Sequence, residues 1–300
     1  MDGLLRDATT NGWRKAVEQF TDVYHNDPAD RRFYQMYFSS ERRADWHFLL
    51  DITRQHVVLD VGSGFGAVSC ELSKIAGTVV ALDPTLENVT FVDIRRGQEG
   101  ISNICPVNAE VLRLPFPDSY FDLAVMIGVL EFVGNSRAHG CPVELQLAAL
   151  KELHRVLKRG GHLYLAIENR LGYQYFLGRI DEHSGLRFTT IMPRSVANLY
   201  SRMVRRVGYR SYTHSYWRLK QMLFRAGFKD ATFYSPIPEY RRFDYLVPLE
   251  NTDCLRYCFE DLLKSHPRMK PGVMLAGKLC RTLNILKYLL PTFAVICEKR

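Results

Sequence analysis

No acidic residue occurs between Glu182 and Asp230, while ten Lys and Arg lie in that span, from Arg187 to Lys229. The whole chain of 300 residues carries 40 Lys and Arg against 32 Asp and Glu, a net charge of +8. The imbalance is confined to the second half: up to Arg170 the count is 18 against 22, and beyond it 22 against 10. Most of these cations belong on a solvated face when taken singly. Their segregation nevertheless sets a positive field over one part of the molecule, suited to an anionic ligand or an anionic membrane surface. Apolar runs of bilayer length are also missing. Leu123 to Leu130 is too short to span, Pro291 interrupts the run Tyr288 to Cys297, and Met1 to Phe20 has charges throughout. A cytoplasmic chain, peripheral to a membrane at most, is expected. The seven cysteines are scattered among apolar neighbours, as reduced core thiols are. Cys254 and Cys258 can share a helical face but have no nearby third or fourth ligand, and no metal site is expected from spacing.

What is present is organised around Val57-Val58-Leu59-Asp60-Val61-Gly62-Ser63-Gly64-Phe65-Gly66. A β-branched and aliphatic run with an acid near its end passes into three alternating glycines, then into an apolar helical pattern through Val68, Leu72 and Ile75. This is the pattern of a buried strand, a tight loop and a helix start. Glycines there let backbone approach a ligand closely, and free N–H groups at the helix start would face it. Gly62, Gly64 and Ala67 also satisfy the permissive dinucleotide fingerprint, so a nicotinamide cofactor stays open at this point. Asp60 favours a ligand with an ammonium tail over one with a pyrophosphate.

Short apolar strands then alternate with helical patterns, the signature of a parallel α/β sheet. Strands are expected at 57–61, 78–82, 101–107, 121–127 and 162–167, with a helix over 142–157 and the turn Lys158-Arg159-Gly160-Gly161 before the fifth strand. Residues 1–55 carry aromatic and aliphatic residues at helical spacing (Trp13, Val17, Phe20; Phe33, Tyr34, Tyr37, Phe38; Trp46, Leu49, Leu50), broken at Asp27-Pro28. Tyr34 and Tyr37 are candidates to line a ligand lid. Past the fifth strand, 196–207 and 217–226 are basic amphipathic helices, 231–234 and 292–297 strands six and seven, and 251–263 and 273–290 helical.

The pattern D-x-G-x-G-x-G over 60–66 resembles the first motif of class I S-adenosylmethionine-dependent methyltransferases. Asp83 at the end of strand two, the run from Asn108-Ala109-Glu110 through Asp118 to Asp122, Val129-Leu130-Glu131-Phe132-Val133, and Leu153 to Gly161 continue the resemblance in order over 57–167. It implies an α/β, Rossmann-like sheet of seven strands with an N-terminal helical segment and helical insertions on the substrate side. The expected organisation is a cap at 1–55, a cofactor-binding core at 56–170, and substrate-side helices with the last two strands at 171–300, including an insert near 237–290. S-adenosylmethionine is the implied cofactor and S-adenosylhomocysteine the product. By motif position, Asp60 would act on the amino-acid tail indirectly, Gly62, Ser63, Gly64 and Gly66 would cradle it, Asp83 would hold the ribose, Asn108 and Ala109 would reach adenine, and Ile127 and Gly128 would lie beside the methyl. Asn108 replaces the usual acid of the adenine loop and can still hydrogen-bond adenine, and Phe132 stands where many small-molecule members have a histidine, so the resemblance does not imply their substrates.

The segment Glu168-Asn169-Arg170-Leu171-Gly172-Tyr173, followed by Asp181-Glu182-His183-Ser184-Gly185, resembles bacterial methyltransferases encoded among surface-glycan genes. That implies O-methylation of a glycan, lipid-linked sugar or related cell-surface intermediate, with a quinone, phenolic or natural-product acceptor, or a non-catalytic cofactor-binding scaffold, as alternatives. A hydroxyl acceptor benefits from a general base. His183, flanked by Asp181 and Glu182, is the first candidate, a surface loop histidine being the competing reading, and Glu168 is the second. His154 and His162 read as structural. Nucleic acid is disfavoured, because Tyr200, Tyr209, Tyr212, Tyr216 and Trp217 fall on helical apolar faces rather than on a stacking platform.

Overall fold

The computed structural model describes residues 1–24, 37–39, 41–135, 140–265 and 285–300. Helices α1 (Asp2–Asn11) and α2 (Trp13–Tyr24) precede β1 (Val57–Val61), α3 (Ala67–Leu72), β2 (Thr78–Asp83), α4 (Leu86–Gln98), β3 (Ile104–Asn108) and β4 (Phe121–Ile127). Then follow α5 (Pro142–Val156), β5 (Leu157–Glu168), α6 (Arg194–Arg205), α7 (Tyr216–Ala226), β6 (Asp230–Glu239), β7 (Arg242–Pro248), α8 (Thr252–Ser265) and β8 (Thr292–Glu298). The strand order is β3-β2-β1-β4-β5-β8-β6-β7. The chain divides into two compact units, 1–126 with 155–163, and 127–154 with 164–300.

In the first unit β1 is the middle strand, parallel to β2 and to β4, with Asp60 opposite Ala81 and Val125. Val58, Leu59 and Val61 are fully buried, as a continuous aliphatic run between two neighbouring strands should be. The N-terminal helices pack Leu4, Ala8, Trp13, Ala16 and Val17 against Phe38 and Phe91 of α4, with Phe65 from the glycine loop partly buried on the same cluster. Trp13, Val17 and Trp46 are thus core residues, as their spacing suggests. The helical break at Asp27-Pro28 and the aromatics Phe33 and Tyr34 lie outside the described residues; within them, Gly12 (φ +90°) separates α1 from α2.

Two expectations about strands need correction. The stretch 158–161, expected as a turn, belongs to β5. Lys158 is held to the Asp122 carboxylate at 2.8 Å, and Gly161 sits so close to the Phe121 and Asp122 carbonyls that a Cβ would approach them at 3.2 and 3.1 Å. A bare glycine lets extended backbone run beside β4 here.

The sheet also has eight strands rather than seven. In the second unit β6 continues to Glu239 and folds back through Tyr240-Arg241 into β7, which pairs with it antiparallel, with an irregular register at Ile237/Pro238. Pro236 and Pro238, each lacking a ladder donor, hide this strand from sequence reading. The expected insert therefore opens as a hairpin. The expected helix at 273–290 lies largely outside the described residues, which show only the single turn Leu286–Tyr288. Helices α6, α7 and α8 fall within two residues of their expected positions. Among the described residues no helix is long and apolar enough to cross a membrane.

Candidate active site

In the first unit, the loop after β1 is fixed by two carboxylates. Asp60, 3% exposed, accepts a 2.6 Å hydrogen bond from Ser69 Oγ in the first turn of α3. Burial pushes its carboxyl up to about 6 even against that hydrogen bond. Asp60 ties the end of β1 to the start of α3 across the glycine loop. Asp83 reaches across from β2: Oδ2 accepts the Gly64 N–H at 2.9 Å, and Oδ1 accepts the Thr85 N–H at 2.9 Å and Asn88 Nδ2 at 3.1 Å. Three of about four lone-pair directions are used, leaving one on Oδ2. The Gly62 and Ser63 N–H groups donate to Leu82 O, so the loop is tied to β2 by backbone as well.

Gly64 and Gly66 sit at φ +52° and +78°, a region costly for other residues, and a Cβ on Gly66 would meet Val92 at 3.1 Å. Above Gly64 stands the Tyr37 hydroxyl, 3.1 Å from where a Cβ would lie. Tyr37 thus lines this loop, while Tyr34 lies outside the described residues. Asn108 Nδ2 and the Ala109 N–H both donate to the Asp83 carbonyl, bracing the adenine-loop candidates against β2. Ser63 Oγ is buried without a hydrogen-bond partner. A cradle without Cβ atoms, an orphaned hydroxyl and a carboxylate with one free direction fit a ligand carrying a ribose and a polar tail.

In the second unit, the carboxyl end of β5 delivers Glu168 into a buried polar cluster. Its Oε1 accepts the Tyr240 hydroxyl at 2.7 Å and Arg241 Nη2 at 3.4 Å, whereas Oε2 has no hydrogen-bond partner. His183 presents Nε2 to Glu131 Oε1 at 3.8 Å and to Glu168 Oε2 at 3.9 Å. Its Nδ1 is held at 2.9 Å by Asp181, whose carboxylate also takes the His183 N–H and the hydroxyls of Ser184 and Thr189. Phe132 covers the imidazole, with ring centroids 4.9 Å apart.

Burial, then the Glu131 charge, pushes Glu168 up to about 7. Burial pulls His183 down, but the Asp181 hydrogen bond and the Glu131 and Glu168 carboxylates outweigh it and carry the imidazole up to about 10. A protonated imidazole donates rather than accepts, so His183 is set up to hold carboxylates more than to take a proton. The competing reading of His183 as a surface loop residue is wrong: its side chain is 3% exposed.

Of its two flanking acids, Asp181 orients it as expected. Glu182 does not; it pairs with Arg179 at 2.8 Å and Arg241 at 3.1 Å. The structure brings Glu168 and His183 together with Glu131, Tyr240 and Arg241, none of which sequence reading nominated. Tyr240 and Arg241 come from the hairpin hidden by its prolines. Glu131 stood inside a motif quoted for resemblance, and its burial at 1% exposure is what marks it out. Local spacing gave no metal cluster, yet the fold gathers Glu131, Glu168 and His183 from three separate segments, with ligand atoms all within 4.8 Å of one another. Of the residues expected beside the methyl, Gly128 donates its N–H to Ala166 O and packs under Tyr240. His154 packs on Phe228, consistent with its structural assignment.

Residues 59–165 match the family model described as a methyltransferase domain. An uncharacterised protein of Methanocaldococcus jannaschii is 34% identical over 117 residues, 39% of this chain and 43% of that protein, so the chain spans less than half of that relative's length. The ubiquinone/menaquinone biosynthesis C-methyltransferase UbiE of Neisseria gonorrhoeae is 30% identical over 186 residues, 59% of this chain and 69% of that enzyme. The fold is similar to that of a solved Haemonchus contortus phosphoethanolamine N-methyltransferase in complex with S-adenosylhomocysteine, at 12% identity and a TM-score of 0.53 over 98% of this chain and 59% of that one. With the glycine loop, Asp60, Asp83 and the parallel strands all in the order the motifs require, the chain belongs to the class I S-adenosylmethionine-dependent methyltransferases and takes S-adenosylmethionine as its cofactor.

Proposed function

We propose that this methyltransferase methylates an oxygen of a glycan, lipid-linked sugar or related cell-surface intermediate at an anionic membrane face. One observation carries the reading. Helix α6 leaves Val196, Leu199 and Met203 exposed at helical spacing, with Val207 just beyond its end, at 48, 60, 68 and 65%. Arg202, Arg205 and Arg206 are exposed beside them, and no acid interrupts the segment. An apolar row flanked by arginines fits a helix lying in the headgroup region of an anionic bilayer. An acceptor carried on a lipid would be met there.

Bound S-adenosylmethionine supplies a methyl group already activated on sulfur, so the protein's task is chiefly positioning. Asp60 and Asp83 hold the glycine loop in shape, Asp83 offering its remaining lone pair to a ribose hydroxyl. Gly62, Ser63, Gly64 and Gly66 cradle the tail, and Asn108 and Ala109 take the adenine. Met126, opposite Val61 in the β1–β4 pairing, is followed directly by Ile127 and Gly128, the residues assigned to the methyl. Glu168, whose Oε2 is unbonded, is the base chosen of the two candidates for an acceptor hydroxyl, with His183 as its positioning partner.

A second reading, methylation of a quinone, is favoured by the likeness to UbiE. The test is incubation with methyl-labelled S-adenosylmethionine and either lipid-linked sugars or quinones in anionic vesicles. Label recovered as a methyl ether on the sugar supports the first reading. Label on a quinone ring carbon, with none on sugar, replaces it by the second.

A further inference from the structure

We infer that Glu131, Glu168 and His183 form a binding site for one divalent metal ion of the first transition row. The site shares Glu168 and His183 with the proposed function, but it is read here by metal binding and not by methyl transfer. Three independent features point to it.

The first is geometry. His183 Nε2 lies 3.8 Å from Glu131 Oε1 and 3.9 Å from Glu168 Oε2, and the three ligand atoms fall within 4.8 Å of one another. A metal with bonds of about 2.1–2.2 Å places neighbouring ligand atoms roughly 3.0–3.6 Å apart. The two distances from His183 need to contract by only some tenths of an ångström to reach that spacing, and the carboxylate pair by about 1 Å at most.

The second is unmet polarity. Glu131 is 1% exposed and neither of its carboxylate oxygens has a hydrogen-bond partner, and the inner oxygen of Glu168 is equally bare. Three buried carboxylate oxygens facing one imidazole without hydrogen bonds are costly unless positive charge compensates them. Arg241 reaches only the outer oxygen of Glu168, where it and Tyr240 serve that carboxylate from behind.

The third is the support of the imidazole. Asp181, fully buried, grips Nδ1 at 2.9 Å and is itself satisfied by Ser184 and Thr189. A carboxylate on one ring nitrogen, with the other aimed at two carboxylates, is the arrangement that orients histidine ligands. A metal entering the cluster displaces the imidazole proton to solvent, and two carboxylates and the neutral imidazole so formed balance the charge of a divalent ion and suit Mn²⁺ or Zn²⁺. Three protein ligands also leave a coordination position for water or for an acceptor oxygen.

The test uses the full chain, stripped with a chelator, dialysed and titrated calorimetrically with MnCl₂ and with ZnCl₂. Electron paramagnetic resonance of the Mn²⁺ form then reads nitrogen coupling from the imidazole. One ion per chain is expected, with that coupling present. Glu131→Gln and His183→Gln should each weaken binding at least about tenfold, and Glu131→Gln should leave S-adenosylmethionine affinity unchanged. No saturable uptake of either ion overturns the site, as does affinity equal in wild type and Glu131→Gln. Uptake of an organic ammonium probe such as ethanolamine in place of metal overturns it too. Should the variants fail to fold, the wild-type spectrum decides, because bound Mn²⁺ without nitrogen coupling excludes His183 as a ligand.

Discussion

The Tyr240 hydroxyl donates to Glu168 over 2.7 Å, and the same oxygen stands 2.7 Å from the point where a Cβ on Gly128 would lie. Gly128, at φ +65°, therefore keeps open the space that lets Tyr240 reach its carboxylate. Gly128→Ala should destabilise by about 1–3 kcal/mol through crowding and positive φ. Tyr240→Phe should cost roughly 1–3 kcal/mol by stripping a buried carboxylate of a donor. The double variant should cost less than the two together, since removing the hydroxyl relieves the clash. Urea unfolding of the four proteins checks this; strict additivity would separate the two residues.

Asp83 holds the Gly64 N–H and keeps one lone-pair direction for the ribose role proposed for it. Asp83→Ala should weaken S-adenosylmethionine binding at least about tenfold, since both a ribose acceptor and a loop anchor are lost. Calorimetric titration measures it, and unaltered affinity would remove Asp83 from the ribose.

Acid sensitivity should trace in part to His214. Burial first, then Arg194, Arg218 and Arg170, holds its imidazole down at about 3, against about 6.5 in the unfolded chain. Below pH 6.5 the unfolded chain binds a proton that the folded chain refuses, so stability falls as pH is lowered from about 6.5 toward 3 and is insensitive to this group above. His214→Gln should flatten the denaturation midpoint between pH 7 and 5. Parallel profiles for the two proteins would clear His214 of this role.

The exposed row on α6 sets a further expectation. Replacing Leu199 and Met203 with Glu should lower co-sedimentation with anionic vesicles at least about tenfold, by removing buried apolar area and adding like charge. Raising salt should weaken the wild type as well. Retention by neutral vesicles to the same extent would argue against an electrostatic contribution.

The parallel core was legible because its signals are local. An aliphatic run, three glycines and an acid two residues ahead of the first fix β1, its loop and α3, and the later motifs follow at set spacing. The hairpin β6–β7 was not legible, because Pro236 and Pro238 interrupt what a strand pattern requires, and with it went Tyr240 and Arg241. Glu168 and His183 were nominated from their chain context, and the fold brings the two together. Glu131, in contrast, becomes notable only through the burial of a carboxylate without hydrogen bonds, which no spacing rule encodes. Glu182 misled because adjacency in sequence does not set a side chain's direction: its carboxylate pairs with Arg179 and Arg241 and not with the histidine it precedes.

Arg95 gives the N-terminal helices a different standing from that of a detachable cover. Its guanidinium, 1% exposed, donates to the carbonyls of both Phe38 and Phe65 at 3.0 and 3.1 Å and lies 4.2 Å over the Trp13 ring. Phe65 belongs to the glycine loop and stacks on Phe38 at 4.3 Å. One cation thus staples the loop assigned to the cofactor to the segment that opens the chain. Shortening the chain from its first residue would not unveil the binding loop; it would take away the wall the loop leans on, and rigidity gained at the loop on cofactor binding would register as slowed amide exchange in α1 and α2.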